Sequence, residues 1–299
     1  MDYKEFAERI AEILQWKIGD GCTVTVTEVL KNNGVSPTGV VIMKESDRVV
    51  PTIYLEEPYR QYKEGASLSE IAEEIKTLYE KNSRNIKLDI DFFRDFSQVE
   101  GRIFHKVINR EKNKELLKDM PYFSWHDLAV VFYYGMKGAA FGNAMIPIHN
   151  SHLDMWKKSA DEIYQTARRN MKKKMPELLL PMQKLLEEEE MTGIRTEESI
   201  MQLYVLTNRE RMFGASAMLY SEKIKGLADK LHTDLLILPG SVHETLLLPD
   251  DREREYDFYR KMVREVNTTQ VDPEEILSFN LYRYNREKDE IEEIEETTV

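Results

Sequence analysis

The apolar residues of this chain come in short segments whose rhythm switches between two residues and 3.6 residues, which restricts it to folds that mix strands with helices. Residues 23–30 (TVTVTEVL) alternate β-branched and polar side chains, the signature of a half-buried strand. Residues 3–15 instead space Phe6, Ile10, Ile13 and Leu14 along one face of a helix. Asn32, Asn33 and Gly34 supply turn chemistry, and residues 38–44 and 49–55 read as two further strands of a meander. Pro51 has no N–H to give to a ladder, so its strand is an edge or the proline marks a strand start. Ser67-Leu-Ser-Glu70 is a capping box that opens a helix with Leu68, Ile71, Ile75 and Leu78 on one face.

Downstream, the pattern predicts a short helix over 92–99, a strand over 103–109 and a helical turn over 110–117. Strands over 128–134 and 145–149 follow, joined by a loop holding Gly135, Gly138 and Gly142. A second capping box, Ser159-Ala-Asp-Glu162, starts a helix that runs to about Lys174, where Pro176 and Pro181 interrupt it ahead of a polar helix through Glu187. The last third alternates strands at 202–206, 214–218, 235–238 and 245–248 with helices through Lys230 and from Glu253 to Val266. It closes on a hairpin of Leu281–Tyr284 and Glu290–Ile294. No strict βαβα rhythm holds, so the expected class is α+β, with mixed, mostly antiparallel sheets and flanking helices. The strand–linker–capping-box order of 51–70 recurs at 145–162, compatible either with two similar lobes or with chance, since capping boxes are common. A division into an N-terminal α+β lobe, 1–120, and a C-terminal one, 121–299, follows from this pattern.

Composition removes whole classes. Among 299 residues there are 29 aromatics, too many for a disordered chain. The longest unbroken apolar stretch, Leu128–Tyr134, is far below the roughly 20 residues of a membrane-spanning helix, and MDYKEFAERIAEIL is amphipathic, unlike a signal peptide. One cysteine, Cys22, makes no internal disulfide, which fits a reducing cytoplasm. The 54 acidic and 42 basic side chains leave a net charge of −12, so no membrane partner and no direct nucleic-acid binding are expected. Half of that charge sits in Glu287–Glu296, which holds seven acidic residues and one lysine. Arg168–Lys174 (RRNMKKK) carries five basic residues and precedes the acidic run Glu187–Glu190. The pair reads as two solvated helix faces that attract each other, or the basic strip as a landing place for an acidic partner.

Three constellations could carry chemistry. Ser241, His243 and Glu244 lie between two apolar strands, where alternation would put the hydroxyl and imidazole on one side as a nucleophile–base pair. No glycine-flanked nucleophile elbow surrounds Ser241, and a polar hairpin turn explains the same residues. His149, His152 and Asp154 bring two imidazoles and a carboxylate within six residues, enough for a metal or for the caps of a strand-to-helix loop. The three glycines of 135–142 match no phosphate-binding loop, and no cofactor is indicated.

The runs YVLTN (Tyr204–Asn208), DLLILPGSVHETLLLPDD (Asp234–Asp251) and VREVNTTQVDPEEILSFNLYRY (Val263–Tyr284) resemble an uncharacterised bacterial family of about 300 residues. NNGV (Asn32–Val35), PTIYL (Pro51–Leu55), NREKNKELLKDMP (Asn109–Pro121) and DLAVVF (Asp127–Phe132) extend the resemblance over nearly the whole chain. From residues 150–170 and from Asp234 onward, a second uncharacterised bacterial family is distantly similar. The resemblance implies a place near mobile-element genes, and it brings no activity, cofactor or catalytic residue. Where that family commonly has two serines before the His-Glu pair, this chain has Gly240 and Ser241. The expectation is a cytoplasmic, non-catalytic interaction or accessory factor with an unidentified protein partner. The alternatives are a hydrolase or metal-dependent enzyme built on one of the two histidine constellations, or an acidic decoy of a nucleic-acid-binding partner.

Overall fold

A computed structural model describes residues 1–45, 50–83, 90–139, 142–188, 202–250 and 255–294. The chain divides into two compact units, one of Met1–Asp95 and Gly135–Met145, the other of Phe96–Tyr134 and Ile146–Val299. The fold is α+β with antiparallel sheets, as the mixed periodicity predicts.

The first unit begins with α1 (Tyr3–Ile18), whose N-terminus is capped by the Asp2 carboxylate accepting the Glu5 N–H at 2.9 Å. Strands β1 (Thr23–Glu28), β2 (Thr38–Met43) and β3 (Thr52–Tyr54) form an antiparallel meander in that order. Then come α2 (Glu56–Lys63), α3 (Leu68–Ser83) and α4 (Ile90–Arg94). The capping box of α3 forms as its spacing predicts: Glu70 N–H donates to Ser67 Oγ, and Ser67 N–H to Glu70 Oε2. Phe6, Ile10 and Leu14 of α1 pack with Val40 of β2 and with Ile71 and Ile75 of α3. Each such side chain taken out of water contributes roughly 1.5–3 kcal/mol.

The second unit contains α5 (Phe96–Val99), β4 (Ile103–Asn109), α6 (Lys114–Leu117) and β5 (Tyr122–Trp125). The strands β6 (Leu128–Ala139) and β7 (Gly142–Pro147) each run across the division between units. Next are α7 (Asn150–Trp156), α8 (Ala160–Lys174), β8 (Glu177–Pro181), α9 (Met182–Glu188) and β9 (Tyr204–Asn208). After a 3-10 turn at Gly214–Leu219 follow α10 (Ser221–Leu231), β10 (Leu235–Pro239), β11 (Thr245–Pro249), α11 (Tyr256–Thr269), β12 (Leu281–Asn285) and β13 (Glu290–Ile294). One antiparallel sheet has the order β13-β12-β10-β11-β9-β8; in another, β6 lies between β4 and β5 and also pairs with β7. Every residue of β10 is buried. Its alternate side chains serve two cores: Leu235 and Ile237 join Val107, Val130 and Leu206, while Leu236 and Leu238 pack with Tyr259 and Val263 of α11.

The structure departs from the sequence pattern at several places. Residues 214–218 form the 3-10 turn rather than a strand, because Gly-Ala-Ser-Ala lacks the branched side chains that favour an extended backbone. Leu178–Leu180, expected inside an interrupted helix, are edge strand β8 paired with β9, since Pro176 follows the end of α8 and leaves the leucines free to extend. Strand β5 and helices α2 and α7 were not indicated by periodicity; the first spans four residues and the others eight and seven. The loop expected across Gly135–Gly142 is mostly strand, with residues 140 and 141 outside the described set. The acidic run Glu187–Glu190 is described only as far as Glu188. The boundary drawn at residue 120 falls within one sheet, because β4 before it pairs with β6 after it. The strand–short helix–capping box–long helix order does recur, as β3-α2-Ser67-α3 and β7-α7-Ser159-α8. The sheets around the two copies differ, one a three-stranded meander and the other a four-stranded sheet.

Gly39 makes a close approach between β2 and β3 possible. A Cβ there would lie 2.3 Å from Thr52 Cγ2 and 2.8 Å from the Ile53 carbonyl oxygen. Gly39→Ala should therefore destabilise the first unit by about 1–3 kcal/mol through overpacking. Thermal denaturation followed by circular dichroism measures this; an unchanged transition would contradict the close packing of β2 on β3.

Candidate functional site

The turn between β10 and β11 holds Ser241, His243 and Glu244, and each side chain has a partner. The Ser241 hydroxyl donates to Glu244 Oε1 at 2.6 Å and accepts the His243 N–H at 3.0 Å. This is a side-chain turn of the kind serine forms two residues ahead of an amide. His243 Nδ1 accepts the Phe213 N–H at 3.1 Å, so the ring proton sits on Nε2, which faces Glu275 Oε1 at 3.2 Å. The Phe213 ring stacks on the imidazole, with centroids 5.4 Å apart and planes 11° from parallel. The turn thus joins Ser241 to Glu244 and His243 to Glu275, and serine and imidazole take separate partners. The arrangement is a well-tied turn; the hydroxyl and imidazole do not form the hydrogen bond that a nucleophile and its base need.

Tight packing surrounds this turn. Thr207 Oγ1 donates to the His243 carbonyl at 2.8 Å, and Val242 N–H donates to the Glu275 carbonyl at 2.8 Å. A Cβ on Gly214 would lie 2.1 Å from Thr207 Oγ1 and 2.5 Å from the His243 carbonyl oxygen. Ser241→Ala should cost about 1–2 kcal/mol, because the His243 N–H loses its acceptor in a partly buried turn. Chemical denaturation measures that loss, and an unchanged midpoint would mean that water replaces the hydroxyl at no cost.

His149 and His152 open α7. His149 Nδ1 lies 2.9 Å from Asp119 Oδ2, and the His149 N–H donates to His152 Nδ1 at 3.0 Å. Burial is the main cause that lowers the His152 pKa, with His149 adding to it. One ring nitrogen of His152 is thereby committed to the backbone. Among the described residues no group of three or more His, Cys, Asp or Glu side chains is placed to hold a metal ion, and Asp154 joins no such group. A third imidazole, not singled out by any motif, is His105 on β4. It is fully buried, 2.5 Å from the Tyr220 hydroxyl through Nε2, and burial pushes its pKa down to about 3.

Several residues of both charged segments have partners within the chain. On α8, Asn170 donates to the carbonyls of Glu100 and Ile103, Lys174 donates to the Gly101 carbonyl, and Lys172 lies 3.7 Å from Glu222. Met171, in the middle of the basic strip, is core. Residues 290–294 of the acidic segment are strand β13, where Glu292 pairs with Arg283 and Lys288, and those two hold its carboxyl down at about 2. Asp289 accepts from Lys225 and Tyr284.

A different place in the first unit is open. Strand β3 pairs with β2 on one side and, among the described residues, ends its sheet on the other. The Leu55 N–H donates to the Thr38 carbonyl, and backbone groups alternate along a strand. Residue 53 therefore faces β2, while the N–H and C=O of Thr52 and Tyr54 point away from it. A groove of about 400 Å³ runs beside residues 51–54, lined across from them by Glu57, Pro58, Gln61, Glu74, Ile75, Leu78 and Tyr79. All three residues of β3, with Pro51 before them, line the groove, which places it against the edge of the strand, because a sheet face would present only alternate residues. Tyr54 and Leu78 are 37% and 46% exposed, and both charged lining residues are carboxylates. Leu78 shares the helix face of Ile71 and Ile75 yet stays half exposed, and Pro51 is the sequence signal for the edge.

A family model described as a family of unknown function matches residues 3–286, nearly the entire chain. No curated protein and no solved structure matches. No helix among the described residues is long and apolar enough to cross a membrane.

Proposed function

The chain belongs to the DUF5688 family, and from that premise we propose that it is a non-catalytic interaction protein that captures an extended segment of a partner protein along β3. The open edge of β3 beside an apolar groove carries this reading. An added strand would take its main-chain hydrogen bonds from Thr52 and Tyr54 and place alternate side chains against Ile75, Leu78 and Tyr79. Glu57 is paired with Arg60 and Glu74 is the groove's other carboxylate, so the fitting segment carries alternating apolar residues and a flanking lysine or arginine directed at Glu74. The paired constellation at Ser241 and His243 and the occupied caps at His149 and His152 support a non-catalytic role over the hydrolase and metal-enzyme alternatives. The internally paired acidic strand β13 likewise weighs against a decoy. A cytoplasmic location rests on the single cysteine, and an accessory role near mobile elements rests on the family resemblance alone.

Leu78→Glu places a third carboxylate in the groove at a half-exposed position. It should weaken binding of a synthetic peptide with alternating valines flanked by lysines at least about tenfold, while the thermal transition stays unchanged. Isothermal titration calorimetry with wild type and variant measures this. Equal affinities, or no binding by the wild type of any peptide in a panel of such sequences, would overturn the reading.

A further inference from the structure

Strand β1 is the other end of the three-stranded sheet, paired with β2 and, among the described residues, with no second strand. The Val29 N–H donates to the Pro37 carbonyl, so the odd-numbered residues along β1 face β2, while the N–H and C=O of Val24, Val26 and Glu28 point outward. The Gln15 side chain of α1 meets that outward row: its Oε1 accepts the Val24 N–H at 2.9 Å, and its Nε2 donates to the Cys22 carbonyl at 3.0 Å. The Gln15 amide thus stands where the peptide group of a neighbouring strand would stand. Val26, the next outward residue, is 39% exposed, and Trp16, which follows Gln15 on α1, is 83% exposed. Short length and Pro51 protect β3 as an edge, whereas residues 23–27 of β1 carry neither a charge nor a proline.

We propose that β1 pairs with β1 of a second copy of this chain, antiparallel about a two-fold axis at Thr25, with Gln15 as the guard that this pairing displaces. The sequence Thr-Val-Thr-Val-Thr at 23–27 reads the same in both directions. An antiparallel copy centred on Thr25 therefore sets threonine opposite threonine on one face and valine opposite valine on the other, with no charges opposed. The chain's own sheet defines those faces: Val24 and Val26 lie opposite the buried Ile42 and Val40, and Thr25 and Thr27 lie opposite Val41 and Gly39. Valine thus meets valine on the side that carries the core. Across the axis, the Val26 N–H donates to the second copy's Val24 carbonyl, and the Val24 N–H donates to the second copy's Val26 carbonyl. The Val24 N–H leaves Gln15 for this bond, so one acceptor replaces another, while Val26 gains both of its partners. This match on both faces singles out a second copy as the occupant. The contact lies in the sheet of the first unit and stands independently of the β3 groove.

The test is sedimentation equilibrium of the full chain up to about 100 μM, with residue-resolved amide exchange at low and high concentration. The wild type should form a dimer. Its Val26 N–H should exchange at least about tenfold more slowly where the dimer dominates, while Thr25, which already faces β2, stays unchanged. Val26→Lys puts a charge on the edge and should weaken the dimer at least about tenfold without altering the circular dichroism spectrum. Gln15→Ala removes the guard and should tighten the dimer. If Val26→Lys does not fold, the exchange of Val26 in the wild type decides alone. A chain that stays monomeric at about 100 μM, a dimer that leaves Val26 exchange unchanged or protects Thr52 and Tyr54 instead, or one no tighter in Gln15→Ala, would overturn the proposal.

Discussion

A strand's backbone donors and acceptors require partners, and whether each strand finds them on one side or both organises this molecule. At β10 both sides are taken, by β11 and β12, and every side chain is buried. That double pairing fixes the turn at 240–244 and, with the loop at 272–280, ties down Ser241 and His243. At β3 one side is paired among the described residues, and the outward-pointing amides of Thr52 and Tyr54 stand beside an apolar groove. The same requirement is met on both sides at β10 and, among the described residues, on one side at β3.

A three-residue edge strand next to Pro51 is also a protected one. Short edges and prolines limit unwanted sheet-to-sheet association. On the proposed reading the groove reconciles these opposing demands, since a partner would have to supply side chains that fit Ile75, Leu78 and Tyr79 as well as a free strand. Specificity would then come from the apolar lining and its carboxylates, and the backbone bonds would add affinity without discriminating sequence.

Local chemistry was legible in the sequence wherever it depended on neighbouring residues. The capping boxes at Ser67 and Ser159, the meander of β1 to β3, and the closing hairpin of β12 and β13 all follow from spacing. Features settled by distant contacts were not legible. Gly-Ala-Ser-Ala at 214–217 folds into a 3-10 turn packed against the turn that carries His243, and nothing in its own pattern indicates that neighbour. Ser241 and His243 illustrate the same limit: alternation predicts a shared side, while Glu244, Glu275 and the Phe213 amide take the two groups as separate partners. Pro51 did carry the hint of an edge, and the groove beside it needed the return of α3 to become visible.

The most direct measurement is backbone amide exchange along β3, residue by residue, with and without a lysine-flanked peptide of alternating apolar residues. Strand addition predicts slower exchange at Thr52 and Tyr54, whose N–H groups point outward, and little change at Ile53, which already faces β2. Unchanged exchange at Thr52 and Tyr54 in a peptide-saturated sample would contradict the account.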